Sequence, residues 1–307
     1  MTKFLMMVGL VGSGKSTKAQ ELSKEYDATI FSSDALREEM FGDVNHQADN
    51  TKLFNELHRR IKECLKNGKN AIYDATNISY KRRMAFLQDL KHIPCEKVCI
   101  LMATPYEECL RRNAERERQV PEYVIEKMYR QFDVPWLFEG WDLIEVEYDT
   151  YEKSFGLPQD WVESVLEFDQ HNTHHSLTLG EHCNQVWKNV TKLAFEDKTV
   201  IMQTALRYAA LIHDNGKVFC KTFLNTRGEV TEQAHYYSHE HTGSYDSLFF
   251  EMPCYQLYVA TLIRWHMQPY YWEKDNNEKQ HNKYKKLWGE NLYKDIMILH
   301  EADKLSK

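Results

Sequence analysis

Two short stretches, in opposite halves of the chain, carry residue types suited to phosphate chemistry. GLVGSGKS, Gly9–Ser16, satisfies the spacing GxxxxGK[ST]. Glycines so placed let backbone N–H groups curl around phosphate oxygens, and a helix beginning at the end of the loop adds its dipole. Gly9, Gly12, Ser13, Gly14 and Thr17 are expected to line the ATP phosphates, Lys15 to reach the β- and γ-phosphates, and Ser16 to hold Mg2+. The second stretch is LIHDNGK, Leu211–Lys217, with His213 and Asp214 behind an apolar run; His182 in LTLGEHCNQV and Asp303 in LHEADKLS extend the series. Imidazoles and carboxylates on separate helices can converge on a divalent metal and leave positions open for water and substrate. Lys217, three residues past Asp214, faces the same site if the helix continues, and can bind phosphate. The chain thus holds parts for adding a phosphate and parts for removing one.

Further residues belong with the glycine loop. A β-rich run leads into SSDALREEM, Ser32–Met40. In a parallel sheet ligands gather beyond the carboxyl ends of the strands, which brings Asp34 to the loop. Its carboxylate can take the proton of an attacking hydroxyl, and Arg37, one helical turn on, can bind an anion of the acceptor. The plain alternative makes Asp34 a helix cap and Arg37 a surface charge. YDATNISYKRR brings Asp74, Thr76 and Asn77 to the same edge, so Asp34, Arg37, Asp74 and Asn77 are the candidate acceptor-facing residues. LRRNAERERQVPEYVIEKM carries Arg111, Arg112, Arg116 and Arg118. Such a run is either a solvated helix face or a lid that stabilises charge on a transferring phosphoryl group. In residues 266–288, HMQPYYWEKDNNEKQHNKYKKLW, aromatics alternate with lysines. They can stack bases, but a packed helix pair with a solvated connection explains them equally and is preferred.

The elements that must position these residues are legible as two patterns. KFLMMVGL, ATIFSS, NAIYDA, CEKVCILMA and DLIEVEY are short apolar strands separated by helical runs, the signature of a parallel sheet with crossover helices. MTKFLMMVGL enters the glycine loop without a small-residue cleavage site, so it reads as a strand and not a signal segment. From about Asp160 the spacing is helical, and histidine usage rises: His46, His58 and His92 precede residue 158 and the other eleven follow it. Gly156 and Pro158 break the chain between the halves. The expected division is residues 1–152, a linker at 153–159, and residues 160–307. No apolar run nears the roughly 20 residues that cross a bilayer. Seven scattered cysteines without a CxxC pair suit a reducing, cytoplasmic setting. A net charge of -7 does not announce a nucleic-acid binder, so any such contact must be local.

The glycine loop, SxDxxR, DATN and the arginine run leading into VPxxVI together resemble the kinase module of bacteriophage-type polynucleotide 5′-kinases, over roughly residues 1–150. The resemblance implies Asp34 as general base, Arg37 on the acceptor phosphate and Arg116 as the lid arginine that also touches ATP, with Arg112 and Arg118 as rivals. Residues 160–307 resemble the HD superfamily of metal-dependent phosphohydrolases, which implies an all-α fold. By that resemblance HYYSHEHTGS and IRWHMQP supply His239 and His266 to a second metal, with Asp214 bridging and His241 as rival to His239. His174, His175 and Arg264 either touch phosphate or cap helices, and the structural role is preferred. The ppGpp-hydrolysing branch carries an ED pair shortly after HD; NGK stands there in this chain, which counts against that substrate.

Together the two resemblances imply a two-domain enzyme, an α/β phosphate-loop kinase followed by an all-α HD domain, that is similar to end-healing enzymes acting on broken RNA or DNA. It would phosphorylate a 5′-hydroxyl with ATP and Mg2+, and remove a 2′,3′-cyclic or 3′-phosphate with one or two Mn2+, Ni2+, Co2+ or Fe2+ ions. RNA or DNA ends are the expected partners, with a separate ligase as a further candidate, and no membrane is expected. Two alternatives stand beside it: a nucleoside or small-molecule kinase fused to a nucleotidase, and an ATP-regulated switch on an HD effector.

Overall fold

The computed structural model describes residues 1–46, 48–148, 155–172, 176–193, 198–253 and 255–306. It divides into two compact units, Met1–Met128 with Pro135–Thr150, and Tyr129–Val134 with Tyr151–Lys307.

The first unit runs β1 (Thr2–Val8), α1 (Lys15–Tyr26), β2 (Ala28–Ser32), α2 (Ser33–Phe41), α3 (Asn50–Lys66), β3 (Asn70–Asp74), α4 (Tyr80–Asp89), β4 (Cys95–Ala103), α5 (Tyr106–Ala114), α6 (Glu122–Tyr129) and β5 (Leu143–Tyr148). The five strands form one sheet in the order β2-β3-β1-β4-β5, and every pairing is parallel. Both faces of the central strand are buried, as parallel sheets require. Leu5 and Met7 pack on Ala19 and Leu22 of α1 with Ile72, Val98 and Ile100. Phe4, pointing the other way by the two-residue repeat, meets Phe86 of α4 edge-on at 5.4 Å. In α3, Leu53, Leu57, Ile61 and Leu65 recur every fourth residue and form its buried stripe, worth roughly 1.5–3 kcal/mol per side chain. The sheet places the carboxyl ends of β1, β2 and β3 side by side, and the candidate residues follow those ends.

The second unit contains α7 (Pro158–Ser164), α8 (Leu179–Lys192), α9 (Val200–Ile212), α10 (Lys217–Cys220), a hairpin of β6 (Thr222–Leu224) and β7 (Val230–His235), then α11 (His239–Asp246), α12 (Gln256–Trp265), α13 (Gln268–Asp275) and α14 (Glu278–Lys304). The expectation of an all-helical half is corrected by the hairpin, whose antiparallel strands pair Thr222 with His235 and Leu224 with Val230. β6 has only 3 residues, and β7, VTEQAH, is largely polar and exposed, so neither stands out from loop sequence. Thr178 begins α8 with a reciprocal cap on Glu181, one residue before His182. Thr199 caps α9 through the Met202 N–H. Phe155 N–H donates to Phe249 O, and Glu251 N–H to Gly156 O. Residues 155–156 are therefore bonded into this unit. Among the described residues no helix is long and apolar enough to cross a membrane.

Candidate kinase and metal sites

In the first unit the phosphate loop joins β1 to α1. Gly12 has φ +84°, and a Cβ there would lie 2.4 Å from the Cys109 carbonyl oxygen, so only glycine fits. Lys15 is buried, and its Nζ donates to Leu10 O at 2.5 Å. Burial lowers its pKa to about 8, the Arg116 charge pulls in the same direction, and Asp74 and Asp34 oppose them. Ser16 Oγ donates to Asp74 Oδ2 at 2.8 Å. Burial raises Asp74 above the usual carboxylate range, against that hydrogen bond and the Lys15 charge. Asp74 ends β3, and the loop after it is riveted to the phosphate-loop strand. Gly9 N–H donates to Thr76 O at 3.1 Å, Asn77 Nδ2 to Met7 O at 2.9 Å, and Arg83 to Asn77 O at 2.8 Å. Asn77 thus spends its amide on the frame. Arg83 is in turn clamped by the fully buried carboxylate of Glu139, a positioning pair that the sequence did not signal.

Asp34 lies at the start of α2, but the cap of that helix is Ser32, whose Oγ accepts from Ala35 N–H. Asp34 Oδ1 receives Arg37 at 3.0 Å and Oδ2 receives Arg118 at 3.1 Å. Arg37 is buried and also bonds Asn50 Oδ1 at 3.1 Å. Its Nε has no partner among the described residues, leaving one donor for an anion. Arg118 is further tied to Val44 O and Asn45 Oδ1. Arg112 donates to Glu108 at 2.6 Å. Thr17 is exposed on the first turn of α1.

In the second unit His182 comes from α8, His213 and Asp214 from the end of α9, His239 from the start of α11, His266 from the end of α12 and Asp303 from α14. All six are buried. Each histidine spends Nδ1 on a backbone carbonyl: His182 on Ser306 O at 3.2 Å, His213 on Ala210 O at 3.0 Å, His239 on Tyr236 O at 2.8 Å and His266 on Ile263 O at 2.7 Å. A carbonyl only accepts, so Nδ1 carries the proton and Nε2 offers its lone pair.

These lone pairs converge. His182 and His213 bring their Nε2 atoms to 3.3 Å, and His239 and His266 to 3.4 Å. Facing lone pairs at such distances repel unless a proton or a metal ion lies between them. Asp214 stands between the pairs: Oδ2 is 3.4 Å from His182 and 3.3 Å from His213, while Oδ1 is 3.2 Å from His239 and 3.7 Å from His266. Asp303 Oδ1 lies 3.2 Å from His182. Two donor groups result, His182–His213–Asp303 and Asp214–His239–His266, each with its ligand atoms within 4.8 Å of one another. Imidazole and carboxylate donors with fixed tautomers fit divalent transition metals. Burial pulls His182 down, but its hydrogen bonds to Asp214 and Asp303 prevail and raise it to about 9, so a metal must displace the proton that Nε2 otherwise shares with those carboxylates. Burial pushes Asp214 up, and the opposing charge of Lys217 together with hydrogen bonding to His182 holds it well below the usual range.

Lys217 arrives by a route other than a continuing helix. The helix ends at Ile212, a turn follows, and Lys217 N–H bonds Asp214 O at 2.9 Å. Its Nζ then reaches Asp214 Oδ2 at 2.7 Å and Gln170 Oε1 at 2.9 Å. Gly216 makes this turn possible, since a Cβ there would sit 2.1 Å from His239 O. His241 turns away from the donor groups, toward Phe132 O at 3.2 Å and Asp133 at 3.4 Å. Arg264 bonds Asp133 at 2.7 Å and lies over the Trp265 ring. His174 and His175 lie outside the described residues. The aromatic stretch is packed inward: Trp265, Trp272 and Trp288 are buried and meet ring to ring. Sequence reasoning missed Asp133, Gln170 and Tyr270. The first precedes the second half altogether, and no motif marks the other two.

Residues 4–135 match the AAA domain family model. An L-seryl-tRNA(Sec) kinase from Methanococcus maripaludis is 30% identical over 182 residues, covering 58% of this chain and 69% of that protein. A chain in the structure of the Pnkp1/Rnl/Hen1 RNA repair complex is 29% identical, with 42% of this chain and 43% of that one covered and a TM-score of 0.37. A sugar kinase from Janibacter sp. is 15% identical, covering 48% of this chain and 86% of that one, with a TM-score of 0.39.

Proposed function

Because the chain belongs to the family of P-loop kinases that includes L-seryl-tRNA(Sec) kinase, we propose that its first unit phosphorylates a hydroxyl at the 5′ end of a nucleic acid, and that its second unit is an HD-type phosphohydrolase that removes a 2′,3′-cyclic or 3′-phosphate. The observation that carries this reading is the division of Asp214 between two histidine pairs, in the same chain as a loop built for ATP.

In the kinase unit, Lys15 and the loop N–H groups hold the β- and γ-phosphates, and Ser16 with Asp74 would hold Mg2+. Asp34 takes the proton as the acceptor oxygen forms its bond to the γ-phosphorus and the bond to ADP breaks. Arg37 steers the acceptor through its phosphate, and the arginines after α5 offset the charge that develops on the transferring group. Arg37 and Arg118 each take one lone pair of the Asp34 oxygens, which orients the carboxylate and leaves lone pairs for the proton.

In the second unit the two donor groups would hold divalent ions, which when bound polarise a phosphate ester and lower the pKa of water. Lys217, aimed by Gln170, pairs with the phosphate oxygens. Burial excludes bulk water and strengthens each of these contacts. A 5′-hydroxyl with a 3′-phosphate cannot be joined, so the product of both units is a substrate for a separate ligase.

The name of the 30% identical relative favours a second reading, in which the acceptor hydroxyl is carried on an aminoacylated tRNA. A competition assay separates the two. ATP labelled on the γ-phosphate is offered with a 5′-hydroxyl oligoribonucleotide, a free nucleoside and seryl-tRNA in one mixture. Label on the oligonucleotide supports end healing; label confined to either other acceptor rejects it.

A further inference from the structure

Asp303 offers its two oxygens in opposite directions. Oδ1 faces the Nε2 atoms of His182 and His213, at 3.2 and 3.9 Å, while Oδ2 accepts the hydroxyl of Tyr270 at 3.0 Å. We infer that Tyr270 is a positioning residue for the His182–His213–Asp303 donor group: its hydroxyl occupies one oxygen of Asp303 and so decides which oxygen is left for a metal. This rests on the reading of that group as a metal centre.

The geometry that delivers the hydroxyl is over-determined. Tyr270 lies on α13, the short helix that begins two residues after His266. Its ring stands edge-on to His300 with centroids 4.3 Å apart. One turn along α13, Glu273 grips His300 Nε2 at 2.9 Å and Lys304 Nζ at 3.2 Å. His300, Asp303 and Lys304 share one face of α14 by their three- and four-residue spacing. The helix that carries Tyr270 is therefore latched to the helix that carries Asp303, on both sides of the ligand. A carboxylate with one oxygen occupied binds a metal through the other; with both oxygens free it can rotate or chelate, and the coordination geometry changes. Tyr270 bonds Asp303 directly, whereas Asp214 bears on it through charge, so the His182–His213–Asp303 group should feel its loss the more strongly.

Metal-stripped protein is titrated with Co2+, whose visible absorption reports the ligands around it. Wild type is expected to take up two equivalents. In Tyr270→Phe one equivalent should bind about 10–100-fold more weakly, with an altered spectrum, and the other should change far less. Glu273→Gln should weaken the same equivalent by less, since it acts through Tyr270. Tyr271→Phe, at an exposed neighbour, should match wild type. Thermal melts of the metal-free proteins separate this from a packing role, because a loss of packing lowers the melting temperature of the variant without singling out one cobalt band. A Tyr270→Phe variant that binds both equivalents with wild-type affinity and spectrum overturns the inference and leaves the metal centre standing. Wild type that binds no cobalt overturns the centre and the inference together.

Discussion

Ser16 Oγ donates a 2.8 Å hydrogen bond to Asp74 Oδ2, so the last residue of the phosphate loop meets the last residue of β3 at the carboxyl edge of the sheet. Two oxygens so placed beside Lys15 are suited to a hard cation on ATP. Asp74→Asn and Ser16→Ala should each lower kinase kcat by on the order of 100-fold, while release of 3′-phosphate proceeds at the wild-type rate. Equal loss of both activities would mean the substitutions act through folding.

The arginines after α5 are distinguishable by what they touch. Arg118 holds Asp34 and the Val44–Asn45 backbone and side chain, whereas Arg116 bears electrostatically on Lys15. Arg116→Ala should lower kcat by about 10³-fold, as removal of a charge-stabilising arginine does. Arg118→Ala should act mainly on the KM of the acceptor. Steady-state kinetics with varied acceptor separates them, and the opposite ranking would make Arg118 the residue that stabilises the transferring phosphate.

His58 gives the first unit a pH dependence of its own. Burial lowers its pKa to about 4; the ring stacks on Phe86 at 4.1 Å, and Nε2 lies 3.2 Å from the Tyr73 hydroxyl. In the unfolded chain it titrates near 6.5. As pH falls from about 6.5 to 4 the unfolded state therefore takes up a proton that the folded state refuses, and stability is lost across that window. After allowance for partial solvent exposure the loss is on the order of 1–2 kcal/mol. Urea unfolding at pH 7 and pH 5 should show that difference in wild type and a smaller one in His58→Phe. An identical fall in both would assign the effect to other groups.

Metal removal should separate the units. Prolonged chelation followed by return to Mg2+ alone should leave kinase activity near its starting value and abolish phosphate release, because the donor groups are built of imidazole and carboxylate. The metal-free protein should also melt earlier, since ions that bind only the folded state stabilise it by mass action. Phosphate release that survives chelation would point to chemistry outside these groups.

The parallel sheet was legible because strand, loop and helix there are local patterns: an apolar run, glycines at fixed offsets, and a periodic helix. The members of the metal-capable groups were legible as residue types, but their grouping was not. His239 and His241 are two residues apart on one helix turn, and sequence offers no reason to prefer either. The fold decides, because Asp133 and the Phe132 carbonyl capture His241, and they lie far upstream in the chain. The same holds for Tyr129–Val134, which packs with the second unit although the chain around it builds the first. Lys217 was reached by the wrong route: α9 ends at Ile212, and the turn that follows, with Gly216 close against the His239 carbonyl, brings Lys217 back to Asp214.

The most direct test uses one oligoribonucleotide carrying a 5′-hydroxyl and a 2′,3′-cyclic phosphate, incubated with ATP, Mg2+ and Mn2+ and read at both ends by mass. Wild type should gain the 5′-phosphate and lose the 3′ block. Lys15→Ala should fail only at the 5′ end, and Asp214→Ala only at the 3′ end. Unchanged ends with wild type, while ATP and mononucleotides are still consumed, would contradict end healing and leave small-molecule chemistry as the activity of both units.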